Sequence, residues 1–287
     1  MKLVFFLAIL LYASISLAKY SPGNIYDGQN GKRVALDTII NEAQAGSVVL
    51  LSEIHNSEAH HSNQVDFLVK LAQSRKSLSV GMEFFNYLQQ PLVDQYTRNE
   101  ISEEEFLESI NWGGFPFEYY RFQVRLPFYS GGKTVALNAP RSLTSRISQV
   151  GIEGLNQEEA TLMPPNFVMG NDAYFERFKA AMGDHGSQYP DMLWRYFQAQ
   201  SVWDDTMAWQ TQVYMNQNPE QVFVIIVGDF HVQYGGGLPD RLQQRGISKI
   251  INISQIQTRG LSKEEIASMV EPHPEYGPRA DYIWVSN

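Results

Sequence analysis

The sequence predicts an α/β fold in which a mostly parallel sheet is covered by helices. Six short, apolar and β-branched runs recur at long intervals, at residues 47–51, 78–82, 134–137, 222–227, 249–253 and 282–285. These runs lack polar alternation, which is typical of strands buried on both faces. Helical patterns separate them, and strands that alternate with helices indicate a parallel sheet with helical crossovers.

The intervals between the strands predict the helices and two insertions. Residues 62–74 carry one apolar stripe at helical spacing, formed by Val65, Leu68, Val69 and Ala72. Two later intervals, at about residues 87–130 and 141–217, are too long for simple crossovers. We predict helical insertions there that form a cap subdomain, with residues 192–216 as the longest helix. Disorder is expected near residues 19–30 and 270–280.

The first 18 residues have the pattern of a secretory signal peptide. Lys2 precedes an apolar run at residues 3–13, and the small residues Ser16 and Ala18 stand at the −3 and −1 positions of a cleavage site. The apolar run is shorter than the roughly 20 residues that span a bilayer. We therefore expect a mature chain that is exported to the periplasm or secreted by a bacterium.

The composition limits the class of protein. The 287 residues include no cysteine, which excludes disulfides, cysteine-ligated metals and a lipid anchor at an N-terminal cysteine. The formal net charge of −9 argues against nucleic acid as a partner, because the phosphate backbone attracts basic proteins. The hydrophobic fraction of 44% suits one large globular domain over residues 19–287.

Ionisable side chains follow four of the predicted strands. In strand order they are Glu53 with His55, then Glu83, Arg141 and His231. Ligands of open α/β sheets bind beyond the carboxyl ends of the strands, so these side chains are expected to form one site. A single histidine in such a place is more commonly a structural hydrogen-bonding residue. The four groups together favour a functional site.

The same side chains predict a metal centre as one of two possible functions. The set Glu53, His55, Glu83 and His231 suits Mn²⁺, Co²⁺ or Zn²⁺. Two histidines and one carboxylate would bind the metal, and the remaining carboxylate, Glu53 or Glu83, would act on a bound water. That arrangement is typical of a metal-dependent hydrolase.

Three further features lie close to these residues in the sequence. His60 begins the helix after the first strand and either faces the site or is solvated. Tyr234 precedes three glycines, which let the backbone approach a ligand. The glycines lack the spacing and the lysine of a phosphate-binding loop, so nucleotide binding is rejected. Gln200 and Asp204 share a face of a predicted helix.

Five short motifs occur in order along the chain. They are Ser-Glu-Ile-His at 52–55, Gly-Met-Glu-Phe-Phe at 81–85, Leu-Asn-Ala-Pro-Arg at 137–141, Gln-Ser-Val-Trp-Asp-Asp-Thr-Met-Ala at 200–208 and Gly-Asp-Phe-His at 228–231. As an ordered set they resemble the ChaN-like haem-binding uptake family of the Tiki superfamily, from about residue 46 to about residue 253. The chain departs from this family at Ser52, where relatives usually have glycine.

The resemblance implies a function as well as a fold. It implies an α/β protein of the bacterial envelope that binds haem during iron uptake, dimerises around the haem and holds the ferric iron by a tyrosine. A phenolate is a hard anionic ligand that suits ferric iron. The candidate ligands are Tyr234, Tyr119 and Tyr120. Arg141 or a histidine such as His60 is expected to pair with the haem propionates.

Two functions therefore remain open at the level of sequence. The first is haem binding without catalysis, which the resemblance and the aromatic segment at residues 112–120 favour. The second is the metal-dependent hydrolase, because the wider superfamily includes metallopeptidases with similar motifs. The partners expected for the first function are haem, a second copy of the chain and envelope components of haem uptake.

Overall fold

A computed structural model describes residues 19–74, 77–183 and 189–287. The predicted signal peptide at residues 1–18 lies outside the described residues. The strands, in chain order, are β1 (Ile25–Asp27), β2 (Arg33–Val34), β3 (Val48–Glu53), β4 (Leu78–Asn86), β5 (Thr134–Asn138), β6 (Val222–Gly228), β7 (Ile250–Gln257) and β8 (Tyr282–Ser286).

Within the described residues, eight strands form one sheet in the order β2-β1-β8-β7-β3-β6-β4-β5. The strands from β8 to β5 run parallel to their neighbours, whereas β1 is antiparallel to both β2 and β8. The predicted α/β class with a mostly parallel sheet is confirmed. Each of the six predicted strands coincides with one of the strands from β3 to β8.

Both faces of the sheet are covered by apolar side chains. In β3, Val49 and Leu51 belong to one hydrophobic core, while Val48 and Leu50 belong to the core on the opposite face. Successive side chains of a strand point to opposite faces, so a strand between two cores must be apolar throughout. This double burial is the physical reason for the uninterrupted apolar runs in the sequence.

The helices join the strands and fill the two insertions. They are α1 (Leu36–Glu42), α2 (Glu58–Gln73), α3 (Gln90–Thr97), α4 (Glu103–Ser109), α5 (Arg121–Tyr129), α6 (Arg141–Val150), α7 (Gln157–Ala160), α8 (Asp172–Met182), α9 (Pro190–Gln217), α10 (Leu238–Gln244) and α11 (Lys263–Val270). The first insertion contains α3 to α5, and the second contains α6 to α9. Because α9 packs against β5 and α10, part of the second insertion covers one face of the sheet.

The segment near residues 19–30 is ordered, contrary to the expectation of disorder. Its strand β1 pairs with β8, and the side chains of Tyr20 and Tyr26 are buried. These two rings contact each other edge to face at 4.9 Å and belong to a small core with Ile283 and Val285. The sequence does not predict this order, because β1 is only three residues long and pairs with β8 near the other end of the chain.

No helix among the described residues combines the length and the apolar character that crossing a membrane requires.

Candidate functional site

The carboxyl ends of β3, β4 and β6 bring the predicted site residues together around Gly228. Glu53 at the end of β3 is paired in register with Gly228 at the end of β6. The amide of Gly228 donates to Oε2 of Glu83 at 2.6 Å. A Cβ on Gly228 would lie 3.0 Å from Cε1 of His55 and 3.5 Å from that carboxylate oxygen, so glycine allows both groups to approach. His231 follows in the turn after β6.

Glu53 is the centre of one buried group. Its Oε1 accepts from the hydroxyl of Tyr120 at 2.5 Å and lies 3.0 Å from Nδ1 of His55. Its Oε2 accepts from the amide of Gln64 at 2.7 Å, and Nδ1 of His61 lies 3.5 Å from the same oxygen. Burial opposes the charged imidazolium of His55, but the hydrogen bond to Glu53 and the nearby Glu83 outweigh it and raise its pKa. Both oxygens of Glu53 are therefore occupied by protein donors.

His231 connects Glu83 to a second carboxylate on α9. Nδ1 of His231 lies 2.6 Å from Oδ1 of Asp204, and its Nε2 lies 3.4 Å from Oε1 of Glu83. Oδ2 of Asp204 accepts from the hydroxyl of Tyr174 at 2.8 Å, and the amide nitrogen of Gln200 donates to that hydroxyl at 3.0 Å and lies 3.1 Å from Nδ1 of His231. The predicted shared face of Gln200 and Asp204 thus points at His231.

The two carboxylates determine the charge of His231. Burial favours the neutral imidazole, but Asp204 and Glu83 overcome it and raise the pKa of His231 to about 10. Burial also favours the neutral form of Glu83, yet His231 and the amide of Gly228 lower its pKa to about 2. At neutral pH the three side chains therefore form a buried anion–cation–anion row.

This row predicts how stability depends on pH. The pKa of His231 is raised from 6.5, so its contribution is complete below pH 6.5 and is lost as pH rises towards about 10. The pKa of Glu83 is lowered from 4.5, so its contribution is complete above pH 4.5 and is lost as pH falls towards about 2. We therefore expect His231 and Glu83 to stabilise the fold most between pH 4.5 and pH 6.5. Urea unfolding at a series of pH values measures this.

The His231→Gln variant isolates the alkaline part of this prediction. Its free energy of unfolding should decline less between pH 6.5 and pH 9 than that of the unmodified protein, because the titrating imidazole is gone. His273→Gln is a matched control at a half-buried surface position and should keep the original slope. Equal alkaline slopes in the unmodified protein and His231→Gln would contradict the assignment.

The structure does not support the predicted divalent metal site. Across residues 19–74, 77–183 and 189–287, no group of three histidine, aspartate or glutamate side chains is arranged to hold a metal ion. The oxygens of Glu53 and Glu83 accept from donors of the protein itself, and His231 is engaged through both ring nitrogens. With three of the four proposed ligands, Glu53, Glu83 and His231, held by hydrogen bonds within the protein, the hydrolase is not favoured.

A cavity of about 540 Å³, the strand-end cavity, opens beside this cluster. Its polar lining is formed by His55, Glu83, Asn86, Gln89, Asn111, Asn138 and Arg141. Its apolar lining, of similar extent, is formed by Phe84, Ile110, Trp112, Phe115, Ala139 and Trp203. The ring of His55 lies 5.2 Å from each of the rings of Phe84 and Phe115. Flat aromatic side chains and polar groups line this cavity in similar measure, and its size suits a planar ligand that also carries polar substituents.

Two groups of the cavity are free to bind such a ligand. Nδ1 of His55 is held by Glu53, while Nε2 makes no hydrogen bond to any residue that the structure describes. A carboxylate that fixes one imidazole nitrogen orients the other towards a metal ion carried by a ligand. Arg141 is exposed at the edge of the cavity and has no carboxylate partner among the described residues.

The other predicted site residues lie away from the lining of this cavity. His60 is fully buried, and its Nδ1 accepts from the amide of Ile54 at 2.9 Å. Burial lowers the pKa of His60 to about 4. Tyr120 lies in the core beneath Phe84, where burial and the carboxylate of Glu53 raise its pKa. Tyr119 stacks on His61 and its hydroxyl donates to Glu58 at 3.3 Å.

Tyr234 lies in a separate, half-buried environment. Its φ of 55° is unusual for a residue other than glycine. Its ring is 5.3 Å from the guanidinium of Arg177 and 5.9 Å from that of Arg279, with His273 and Tyr276 close by. Tyr234 is close to His231 in the sequence, but it does not line the strand-end cavity and packs instead against Arg177, which also contacts the ring of Tyr174.

Sequence reasoning missed three groups that complete the site. Gln64 and Tyr174 hold the carboxylates of Glu53 and Asp204, but their positions in the sequence carry no signal for those contacts. Trp203 lines the cavity, although helical spacing alone does not distinguish it from a core residue.

Three comparisons place the chain among known proteins. A family model described as haem-binding uptake, Tiki superfamily, ChaN matches residues 39–242. The solved structure of ChaN of Campylobacter jejuni, described as showing cofacial haem binding, has a TM-score of 0.66 and 19% identity and covers 91% of this chain and 95% of its own. No curated protein matches the chain significantly.

Two other solved structures are more distant. An erythromycin esterase mutant, EreC in its open conformation, has a TM-score of 0.47 and 12% identity and covers 81% of this chain and 77% of its own. The type III effector HopBA1 has a TM-score of 0.49 and 11% identity and covers 88% of this chain and 93% of its own.

Proposed function

Because the chain belongs to the haem-binding uptake family of the Tiki superfamily, the ChaN family, we propose that it binds haem in the strand-end cavity and serves haem or iron uptake. The side chains that line the strand-end cavity are the observation that supports this position for the haem. Aromatic side chains form much of the apolar lining of the cavity. Nε2 of His55 and the guanidinium of Arg141, which have no hydrogen-bond or carboxylate partner among the described residues, also line it. The Campylobacter ChaN relative is described as binding haem cofacially.

We assign roles to five of the side chains that line the cavity. Phe84, Trp112 and Phe115 provide flat apolar surfaces for the porphyrin, whose transfer from water is favourable. Arg141 pairs with a propionate, as the sequence predicted, because a guanidinium matches the two oxygens of a carboxylate. Nε2 of His55 is the iron ligand that the geometry favours, with Glu53 holding the ring in place.

A tyrosine ligand at a dimer interface is the alternative arrangement. Tyr234 is the best placed of the three candidates, because it is only half-buried and its ring lies beside the guanidinium groups of Arg177 and Arg279. Tyr119 is half-buried and reachable, whereas Tyr120 is buried with its hydroxyl engaged by Glu53. Haem held at such a surface would join two copies of the chain, in keeping with the cofacial binding described for the relative.

Export forms part of the proposal. The pattern of residues 1–18 supports secretion through a cleavable signal peptide, and the proposed partners are then envelope components of haem uptake. N-terminal sequencing of the protein purified from the culture medium or the periplasm should give Lys19 as the first residue. A chain recovered intact from Met1 in the cytoplasm would contradict export.

A haemin titration of residues 19–287 tests the proposed function. We expect a saturable complex whose Soret band shifts in His55→Ala, because the imidazole ligand is lost, but not in Tyr234→Phe or Tyr119→Phe. The reverse pattern, with high-spin charge-transfer bands that disappear in Tyr234→Phe, would move the iron to the tyrosine. A sizing column at the endpoint reports dimerisation. Haemin binding that does not saturate in this titration would refute the proposed function itself.

A further inference from the structure

A second cavity of about 410 Å³ lies between α6, α8 and α9, beside the strand-end cavity. Its lining on α6 is Arg141, Thr144, Ser145 and Ser148, and its lining on α9 is Tyr196, Ala199, Gln200 and Trp203. Both sets have the spacing i, i+3, i+4 and i+7, which is one continuous face of a helix. The cavity is therefore an elongated groove between two helix faces, here called the cap groove.

The direction of the cap groove follows from the two residues that it shares with the strand-end cavity. Arg141 and Trp203 also line the strand-end cavity, so they mark the near end of the groove. At the far end, Nε of Arg195 lies 3.4 Å from the carbonyl oxygen of Ser148. The helices α6 and α9 thus run antiparallel along the groove, and seven residues of α-helix correspond to a length of about 10 Å.

The two ends of the cap groove differ in chemistry. Arg141 provides a cation at the near end, without a carboxylate partner among the described residues. Along the groove, Ala199 forms the floor, and Phe178 and Met182 of α8 form an apolar wall. A methionine adapts to ligands of irregular shape because its side chain is unbranched and flexible. The groove therefore offers one charged end and one apolar channel.

We propose that the cap groove binds an amphipathic carboxylate with a linear apolar chain, such as a medium-chain fatty acid. The carboxylate pairs with Arg141, and the chain lies along Ala199 towards Met182 and Tyr196. A length of about 10 Å corresponds to about eight extended carbon atoms, and the elongated shape excludes a broad planar ring system. This site is separate from the proposed haem site, although both reach Arg141.

Calorimetric titration with decanoate, below the concentration at which it aggregates, tests this site without haem. We expect saturable binding that Ser145→Trp weakens by about tenfold or more, because the indole occupies the groove from its exposed rim. Ala199→Leu fills the floor and should have the same effect. Gly113→Trp is the matched control, since Gly113 lines the strand-end cavity only. Circular dichroism checks that each variant is folded.

The head group is tested with Arg141→Gln. This variant should weaken decanoate binding by about tenfold or more while leaving decan-1-ol unaffected, because only the carboxylate requires the guanidinium. Loss of decanoate binding in Gly113→Trp with full binding in Ser145→Trp would overturn the proposal by placing the ligand in the strand-end cavity. Absence of saturable decanoate binding to the unmodified protein would also overturn it. Neither result depends on whether haem binds.

Discussion

Gly113→Trp is expected to weaken haem binding by about a hundredfold, or about 2.7 kcal/mol. Gly113 lines the strand-end cavity, and a Cβ at this position would meet no atom within 4 Å. An indole side chain has room to enter there, where it takes the space of the porphyrin. Haemin titration followed at the Soret band measures the effect.

The control for this prediction fills the neighbouring groove instead. Ser145→Trp adds the same side chain to the cap groove, which Gly113 does not line, and should leave haem affinity within about threefold of the original. Both positions are exposed, so neither substitution disturbs the core. Haem binding at full affinity in Gly113→Trp would show that the haem lies outside the strand-end cavity.

Asp229→Ala is expected to lower the free energy of unfolding by about 3–5 kcal/mol. The carboxylate is buried and accepts from the hydroxyls of Ser52 at 2.5 Å and Ser254 at 2.6 Å, from the amide of Gln233 and from the guanidinium of Arg279. Burial alone would raise the pKa of Asp229, but Arg279 and the two hydroxyls lower it. Removing the carboxylate leaves the guanidinium of Arg279 without its counter-charge inside the protein.

Thermal and urea unfolding measure this loss, which corresponds to a fall in the melting temperature of about 10 °C. Asp37→Ala is the control, because Asp37 pairs with Lys70 at the surface, where ion pairs contribute about 1 kcal/mol or less. A comparable small loss in Asp229→Ala would show that Arg279 finds another partner. The network does not line the strand-end cavity, so the folded variant should still bind haem.

The sequence predicted the sheet well because strand burial is a local property. A strand between two cores needs apolar side chains on both faces, and this requirement appears directly as the runs that became β3 to β8. The short strand β1 escaped prediction because its stability comes from pairing with β8, more than 250 residues away in the chain. The composition of a short segment does not indicate which distant strand it will pair with.

The same division applies to the candidate site. The sequence identified Glu53, His55, Glu83 and His231 because parallel strands end at one edge of the sheet, and the fold brings all four to that edge. The tertiary structure decided which atoms of these side chains are already hydrogen-bonded. Gln64 of α2 and Tyr120, which directly precedes α5, donate to Glu53, and Asp204 of α9 accepts from His231. These contacts turn a predicted metal centre into a charged, hydrogen-bonded wall.

The sequence by itself thus determined the fold class, the edge of the sheet that carries the ionisable groups and the family. Only the tertiary structure decided which of these groups remain free for a ligand. Within the part of the chain that the structure describes, Nε2 of His55 and the guanidinium of Arg141 are free, and this and the shapes of the two cavities depend on helices that are distant in sequence. The physical reason is that side-chain identity sets what a residue can bind, whereas packing sets which of its atoms are already bound.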